Sequence, residues 1–222
     1  MRCFVAVWPP EDVLDALAAL PRPAATYARW STRDQWHVTL RFFGELDETG
    51  VAAATKALSE AASSFKASPP RSLAPSPDQP PEDNAGNSEG SSEGNSEGSP
   101  GGSSGSPLVA HGGPATRFMG PGLVVWPVEG LHDLARAVEQ ATAGIGKAVP
   151  RRPFRGHVTL ARARGDADIR RTDLGQAGRL LTRLERSWPV GSFALVESRL
   201  RSGGSVYTDF ATFSLASPAP QS

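Results

Sequence analysis

The tetrapeptide His-Val-Thr-Leu occurs twice in this chain, at His37–Leu40 and again at His157–Leu160. Two of the four histidines therefore belong to one repeated pattern. Histidine is the side chain whose ordinary pKa, about 6.5, lets it give or take a proton near neutral pH. Two histidines presented alike can therefore serve as a general acid and a general base.

Each copy lies in an apolar run that predicts a β-strand, over 36–43 and 155–163. Because side chains alternate across a strand, His37, Thr39 and Arg41 are expected on one face, and Val38, Leu40 and Phe42 on the other. The second copy repeats this order, with His157 and Thr159 on one face and Val158 and Leu160 on the other. Such a polar face is costly to bury, whereas a cleft filled with water between two lobes accommodates it.

The elements around the motifs repeat in the order strand, helix, motif strand, helix. In the first half we predict a strand over 2–8, a helix over 10–20, and a helix capped by Asp47 that runs to about Ser64. In the second half we predict a strand at Leu123–Val128, a helix from Leu131 to Gly144 or Gly146, and a helix capped by Asp173 that carries leucines to Leu184. Two last strands, at 190–200 and 205–215, are joined by Ser202-Gly203-Gly204.

Residues 67–115 contain no aromatic residue and include a Ser-Glu-Gly repeat with nothing to bury. We predict a disordered insert there, with His111 solvated inside it. The chain then divides into a first lobe over 1–66, the insert, a second lobe over 116–216 and a disordered tail over 217–222. The two lobes are expected to form one domain, with strands that can cross between them.

The formal net charge is zero, but the insert holds six acidic residues against one arginine, so the remaining residues carry about +5. A basic fold favours an anionic partner. The chain has no apolar run of transmembrane length and no signal peptide, which predicts a soluble cytoplasmic protein without a membrane partner. Cys3 is the only cysteine, so an internal disulfide is excluded, and a buried strand position is expected for it.

The two motifs and their flanks closely resemble the two-histidine phosphoesterases, and among them the RNA 2′,3′-cyclic phosphodiesterases, also described as 2′-5′ RNA ligases. The resemblance is carried by Trp36-His37-Val38-Thr39-Leu40-Arg41-Phe42-Phe43-Gly44 and by Arg152-Pro153-Phe154-Arg155-Gly156-His157-Val158-Thr159-Leu160-Ala161-Arg162. The opening Arg2–Val7 and the closing Glu197–Leu200 with Tyr207 match as well. In this chain Gly156 stands where proline is common, and Asp209 where an apolar residue is usual.

The resemblance implies an α+β fold of two pseudo-symmetric lobes, each an antiparallel sheet with flanking helices, around a central cleft. It implies hydrolysis of the 2′,3′-cyclic phosphate of an RNA end or a small cyclic nucleotide to a 2′-phosphomonoester, without a metal or another cofactor, by a monomer. His37 would be the proton donor to the 3′ oxygen, and His157 the acceptor that activates water.

The same resemblance places the phosphate-contacting arginine at Arg162. Five positions separate Arg162 from His157, an odd spacing that puts it on the opposite face of a regular strand, so its role requires a bulge or the end of the strand. Thr39 and Thr159 can donate hydrogen bonds to phosphate oxygens, although threonine is also simply a good strand former. Arg41 has the parity for the cleft, and Tyr207 can stack on a base.

Three other functions remain open from the sequence. A metal site would need a carboxylate beside His37 and His157, and neither motif contains one. An RNA- or nucleotide-binding module on the same fold would not need both histidines and both threonines. A reversible 2′-5′ RNA ligase would use the same groups in the opposite direction.

Overall fold

Ten strands form one antiparallel sheet in the described part of the chain, and the two motif strands are neighbours in it. The computed structural model describes residues 1–24, 26–66, 107–148, 152–172, 181–202 and 204–215. The strands are β1 (Arg2–Val7), β2 (Ala28–Trp30), β3 (Val38–Glu45), β4 (Val109–Gly112), β5 (Arg117–Met119), β6 (Leu123–Glu129), β7 (His157–Ala163), β8 (Arg186–Pro189), β9 (Ser192–Arg201) and β10 (Gly204–Ser214). The helices are α1 (Glu11–Ala18), α2 (Glu48–Ser64) and α3 (His132–Ala141), with short 3-10 helices at Arg33–Gln35 and Ile169–Arg171.

The strand order is β10-β9-β1-β3-β7-β6-β4-β8, with β2 paired to β7 and β5 paired to β6. The two halves of the chain therefore meet at β3 and β7, which pair through Val38 and Val158. The expected α+β fold is confirmed. The halves also exchange strands, because β9 and β10 follow the second motif yet extend the sheet of the first half, while β2 precedes the first motif yet pairs with β7.

One face of the sheet is covered by helices. Cys3, Val5 and Val7 of β1 lie on this face with less than 2% exposure, beside Leu17 of α1 and Leu58 of α2. The alternate residues of β1, Phe4 and Ala6, form a separate cluster on the opposite face with Ala194 and Val196 of β9. The polar motif side chains are on that second face.

The sequence signals for α2 operate as expected. The carboxylate of Asp47 accepts a hydrogen bond of 2.7 Å from the backbone N–H of Gly50, which satisfies one of the free donors in the first helical turn. Gly44, the last residue but one of β3, adopts a φ of 77°, a backbone conformation that glycine tolerates. Val51, Ala54, Leu58 and Ala62 repeat at helical spacing and are buried.

The predicted insert is wrong at its carboxyl end. Residues Val109–Gly112 form β4, which pairs with both β6 and β8. Here Gly112 lies against the ring of Trp126, where an added Cβ would come within 2.1 Å of the indole. His111, expected inside the insert, is on β4, and its Nδ1 lies 2.9 Å from the Ser187 hydroxyl. Residues 67–106 and the tail at 217–222 are outside the described residues.

The helix predicted after Asp173 is wrong over its last turn. Leu181–Leu184 are not helical, with Arg183 in an isolated bridge to Ala115 and the Thr182 N–H bonded to the Thr116 hydroxyl at 2.7 Å. Residues 173–180 are outside the described part of the chain. None of the described helices is both long and apolar enough to cross a membrane.

Candidate active site

A β-bulge interrupts each motif strand at the same place, directly after the threonine. In the pairing of β1 with β3, Ala6 is opposite Thr39 and Val5 is opposite Arg41, so Leu40 has no opposite residue. In the pairing of β6 with β7, Val125 is opposite Thr159 and Val124 is opposite Ala161, so Leu160 has none. A bulge of one residue reverses the side-chain parity of everything that follows it.

The bulge in β7 brings Arg162 into the cleft. With Leu160 as the extra residue, His157, Thr159 and Arg162 share one face, although a regular strand would separate them. Arg162 accordingly lines a cavity with His37 and Thr159. Ala161, which a regular strand would place beside Thr159, is buried against Ile169 on the other face.

The bulge in β3 has the opposite effect on Arg41, and the parity expected for this arginine is corrected. Arg41 is only 5% exposed, and its guanidinium donates to three carbonyls at the end of α3 and just beyond it. Those carbonyls belong to Glu139 at 3.0 Å, Ile145 at 2.8 Å and Lys147 at 3.3 Å. Phe42 takes the position that Arg162 holds in the other half and is 39% exposed.

The His37 ring is enclosed by three aromatic side chains. Its centroid lies 4.7 Å from Phe4, 5.5 Å from Trp8 and 5.1 Å from Tyr207. The Trp8 indole N–H donates to the Asp209 carboxylate at 3.0 Å, so Asp209 holds Trp8 in place. This contact gives Asp209 a structural reason to be polar.

Both imidazole rings are held by the same backbone contact. Nδ1 of His37 lies 2.8 Å from the Gln35 carbonyl oxygen, and Nδ1 of His157 lies 2.7 Å from the Arg155 carbonyl oxygen. A carbonyl oxygen only accepts, so each Nδ1 carries a proton. The Nε2 atoms of the neutral rings therefore present lone pairs, and that of His37 lies 3.0 Å from the Thr39 hydroxyl.

Two cavities flank the pairing of Val38 with Val158. The His37 cavity, about 90 Å³, is lined by His37, Thr159, Arg162, Tyr207 and neighbours from β2 and β10. The His157 cavity, about 630 Å³, is lined by His157, Thr39, Phe42, Met119, Phe154 and others, including Arg41, whose guanidinium is bonded to α3. Because β3 and β7 are antiparallel, each histidine shares a cavity with the threonine of the other motif.

The pKa values of both histidines are lowered. Burial first, and then the positive charges of Arg162 and of His157 when it is protonated, lower the pKa of His37 to about 4, against the hydrogen bond to Gln35. Burial also lowers the pKa of His157, and the charges of Arg162, Arg117 and Arg152 act in the same direction. Both rings are therefore neutral at pH 7 in the free protein.

Some site residues were not predicted from the sequence. Arg29 of β2 lies opposite Arg162 and lines the His37 cavity, and an added Cβ on Gly204 would come within 2.0 Å of its guanidinium. The Gln35 side chain donates to the Ser205 carbonyl at 2.7 Å. Because the Gln35 carbonyl also contacts His37, this bond connects β10 to the backbone that positions the His37 ring. The strand Ala28–Trp30 has three residues, too few to show alternation. Among the described residues no three His, Cys, Asp or Glu side chains cluster as metal ligands would.

Comparisons with known proteins agree with this geometry. The sequence profile of the LigT like Phosphoesterase family matches residues 7–69, which include the first motif. The protein TT0787 of Thermus thermophilus has the same fold, with a TM-score of 0.66, 24% identity and coverage of 98% of this chain and 99% of that chain. E. coli LigT complexed with 3′-AMP gives a TM-score of 0.61 at 20% identity, over 96% of this chain and 97% of that chain.

Residues 7–69 are similar to the LigT like Phosphoesterase family, and the chain as a whole has the fold of TT0787 and of E. coli LigT. The profile match is confined to the part of the chain around the first motif, while the solved structures, at these identities, show the fold alone. That fold extends over the second motif, which the profile match does not reach. No curated protein sequence matches the chain significantly.

The depressed pKa values are directly measurable. In an NMR titration of ¹⁵N-labelled protein without ligand, we expect His37 to stay neutral down to about pH 4 and His157 to titrate below 6.5. Since His37 charges at lower pH in the folded than in the unfolded chain, this group favours folding above pH 6.5. That contribution declines as the pH falls through 6.5 towards 4. A His37 pKa of 6.5 or above would contradict a buried ring close to the positive charge of Arg162.

The two bulges predict opposite behaviour for two arginines. Arg41→Met leaves three carbonyls without their donor, so the free energy of unfolding should fall by about 2 to 3 kcal/mol in a denaturant titration. Arg162→Met removes an exposed guanidinium from the cleft and should change the unfolding free energy by less than about 0.5 kcal/mol. Equal losses of stability in the two variants would refute the assignment of the two faces.

Proposed function

We propose that the protein hydrolyses the 2′,3′-cyclic phosphate of RNA ends or of small cyclic nucleotides to a 2′-phosphomonoester. The observation that carries this proposal is the pair of imidazoles, each fixed through Nδ1 by a carbonyl, beside one pairing of two strands. Opening a cyclic phosphate requires a nucleophile and a protonated leaving group on opposite sides of phosphorus, which is what two imidazoles supply.

In the proposed reaction His157 accepts a proton from water through Nε2 while the water oxygen bonds to phosphorus. The bond between phosphorus and the 3′ oxygen breaks, and His37 gives that oxygen a proton from Nε2. The product keeps its phosphate on the 2′ oxygen. The proton gained by His157 and the one lost by His37 balance, so exchange with solvent restores both rings.

The phosphate oxygens are assigned to Thr39, Thr159 and Arg162. The two threonines lie in the two cavities on either side of the strand pairing, so their hydroxyls can donate to the two nonbridging oxygens. The Arg162 guanidinium lines the His37 cavity and offsets negative charge in the transition state. Tyr207, whose ring packs against His37 in a T-shaped contact, is proposed to contact the ribose beside the 3′ oxygen.

A bound phosphate changes the protonation of His37. In the free protein the positive charge of Arg162 helps to keep this ring neutral. An anionic phosphate between Arg162 and His37 offsets that charge and raises the pKa of His37, so the donor acquires its proton as substrate binds. His157 remains neutral when one proton is shared between the two coupled rings.

The charge of the fold and the nucleotide complexes of E. coli LigT support a nucleotide substrate. That protein's structures include complexes with 3′-AMP, NADP+ and ATP. Here Arg29 and Arg162 border the His37 cavity, and Arg152 and Arg155 border the His157 cavity. Cationic side chains at both cavities match a substrate that carries phosphate.

The proposal predicts one product. Incubation with 2′,3′-cyclic AMP in the presence of a chelator should yield adenosine 2′-monophosphate, identified by chromatography against the 3′ isomer. His37→Ala and His157→Ala should each lower kcat by about 10² to 10⁴-fold, because each removes one proton-transfer group. Arg136→Ala, an exposed change on α3, serves as the control and should keep full activity.

The same variants separate catalysis from binding alone and the acid from the base. An aryl phosphodiester that expels a phenolate needs no proton on its leaving group, so His37→Ala should lose far less activity on it than His157→Ala does. Binding of the cyclic nucleotide without turnover would leave the fold as a nucleotide-binding module. Full turnover in either histidine variant would refute the paired mechanism.

A further inference from the structure

We propose that the cleft continues beyond His157 into a second phosphate site, which binds the phosphodiester on the 5′ side of the terminal nucleoside of an RNA strand. The site is a cavity of about 380 Å³ lined by residues that include Arg117, His132, Phe154 and Arg155. This inference rests on the proposed function, and it makes an RNA end a better substrate than a cyclic mononucleotide.

The second cavity adjoins the first. Phe154 and Arg155 line both this cavity and the His157 cavity, so one wall is common to the two. The charge of Arg117 also reaches His157, where it contributes to the lowered pKa. A strand whose phosphate reacts beside His157 can therefore extend along this wall without leaving the cleft.

The cavity is built to attract an anion. Arg117 and Arg155 are both exposed, and neither forms an ion pair with a carboxylate of the described residues. Glu129 is the one carboxylate among the described lining residues. Two guanidiniums in a concave site match a phosphodiester, which each of them can contact with two N–H groups.

An aromatic ring stands between the two phosphate positions. Phe154 is partly exposed and is held edge-on against the His132 ring, with 5.8 Å between the ring centroids and an angle of 84°. A base can stack on such a ring whatever its identity. The terminal nucleoside therefore has a surface between the reacting phosphate and the next phosphodiester.

Gly156 fixes this wall against the sheet. An added Cβ on Gly156 would come within 2.2 Å of the Val128 carbonyl oxygen, and the Gly156 carbonyl accepts a 2.9 Å hydrogen bond from the Val128 N–H. This close approach sets Phe154, Arg155 and His157 against β6. It accounts for glycine at a position where the family resemblance leads to proline.

The test compares substrates that differ only beyond the reacting nucleotide. These are 2′,3′-cyclic AMP, the same nucleotide with a 5′-phosphate, and an adenosine trinucleotide with a 2′,3′-cyclic phosphate end. We expect kcat/KM to rise about tenfold from the first substrate to the other two. Log KM should also gain a salt dependence of about 0.7 per added phosphate contact.

Arg117→Gln should remove most of this gain, lowering kcat/KM on the trinucleotide about tenfold more than on 2′,3′-cyclic AMP, while Arg136→Gln should leave the ratio unchanged. A trinucleotide used no better than 2′,3′-cyclic AMP, or a gain that survives Arg117→Gln, would overturn the proposal.

A second readout separates this site from the proposed activity. Binding of a fluorescent trinucleotide 2′-phosphate, followed by anisotropy, requires no turnover. Binding that weakens about tenfold in Arg117→Gln supports the site even for a protein that hydrolyses none of the three substrates. Binding that is equal in the wild type and Arg117→Gln overturns the site, even where hydrolysis proceeds.

Discussion

The arrangement of this cleft depends on a β-bulge directly after the motif threonine in each of two neighbouring strands. Leu40 and Leu160 are unopposed in their sheet pairings, and each follows the threonine of its motif. The bulge keeps the histidine and threonine on the cleft face and moves the residue three positions after the threonine onto that face as well. That residue is Arg162 in one half and Phe42 in the other, so the same backbone feature presents a guanidinium in one half and an aromatic ring in the other.

The two halves are alike in backbone and different in environment. Each imidazole is held by the carbonyl two residues before it, which fixes the same neutral tautomer in both rings. His37 is enclosed by aromatic rings, and one of these rings, that of Trp8, donates a hydrogen bond to the Asp209 carboxylate. His157 instead faces a larger cavity near several arginines. Like hydrogen bonds in unlike surroundings are consistent with the two different proton-transfer roles that we propose for the two histidines.

Much of this molecule was predictable from the sequence, because the signals are local. Alternation located β3 and β7, and Asp47 located the start of α2 to the residue. Side-chain alternation predicted the correct face for each motif residue as far as Thr39 and Thr159, and the wrong face for Arg41. A bulge arises from the pairing with the neighbouring strand, so the sequence of one strand does not predict it. Arg162 reaches the cleft face only because of such a bulge, which its odd spacing from His157 requires.

Other features lay beyond local signals. Strands β2 and β5 have three residues each, and β4 and β8 four, which is too short for a clear period. The segment Val109–Gly112 adjoins a polar stretch and becomes a strand only because β6 and β8 offer it hydrogen bonds on both sides. Strand β2 joins the sheet of the second half, and strands β9 and β10 join that of the first half. This exchange is a tertiary property that no single segment encodes.

The most direct measurement is a crystal structure with adenosine 2′-monophosphate bound. The account predicts a phosphoryl group between the two rings, with an oxygen about 2.6 to 3.2 Å from Nε2 of both His37 and His157. Arg162 should contact the phosphate, and Arg41 should stay on the carbonyls of Glu139, Ile145 and Lys147. A phosphoryl group held by one histidine alone, or by Arg41 in place of Arg162, would contradict it.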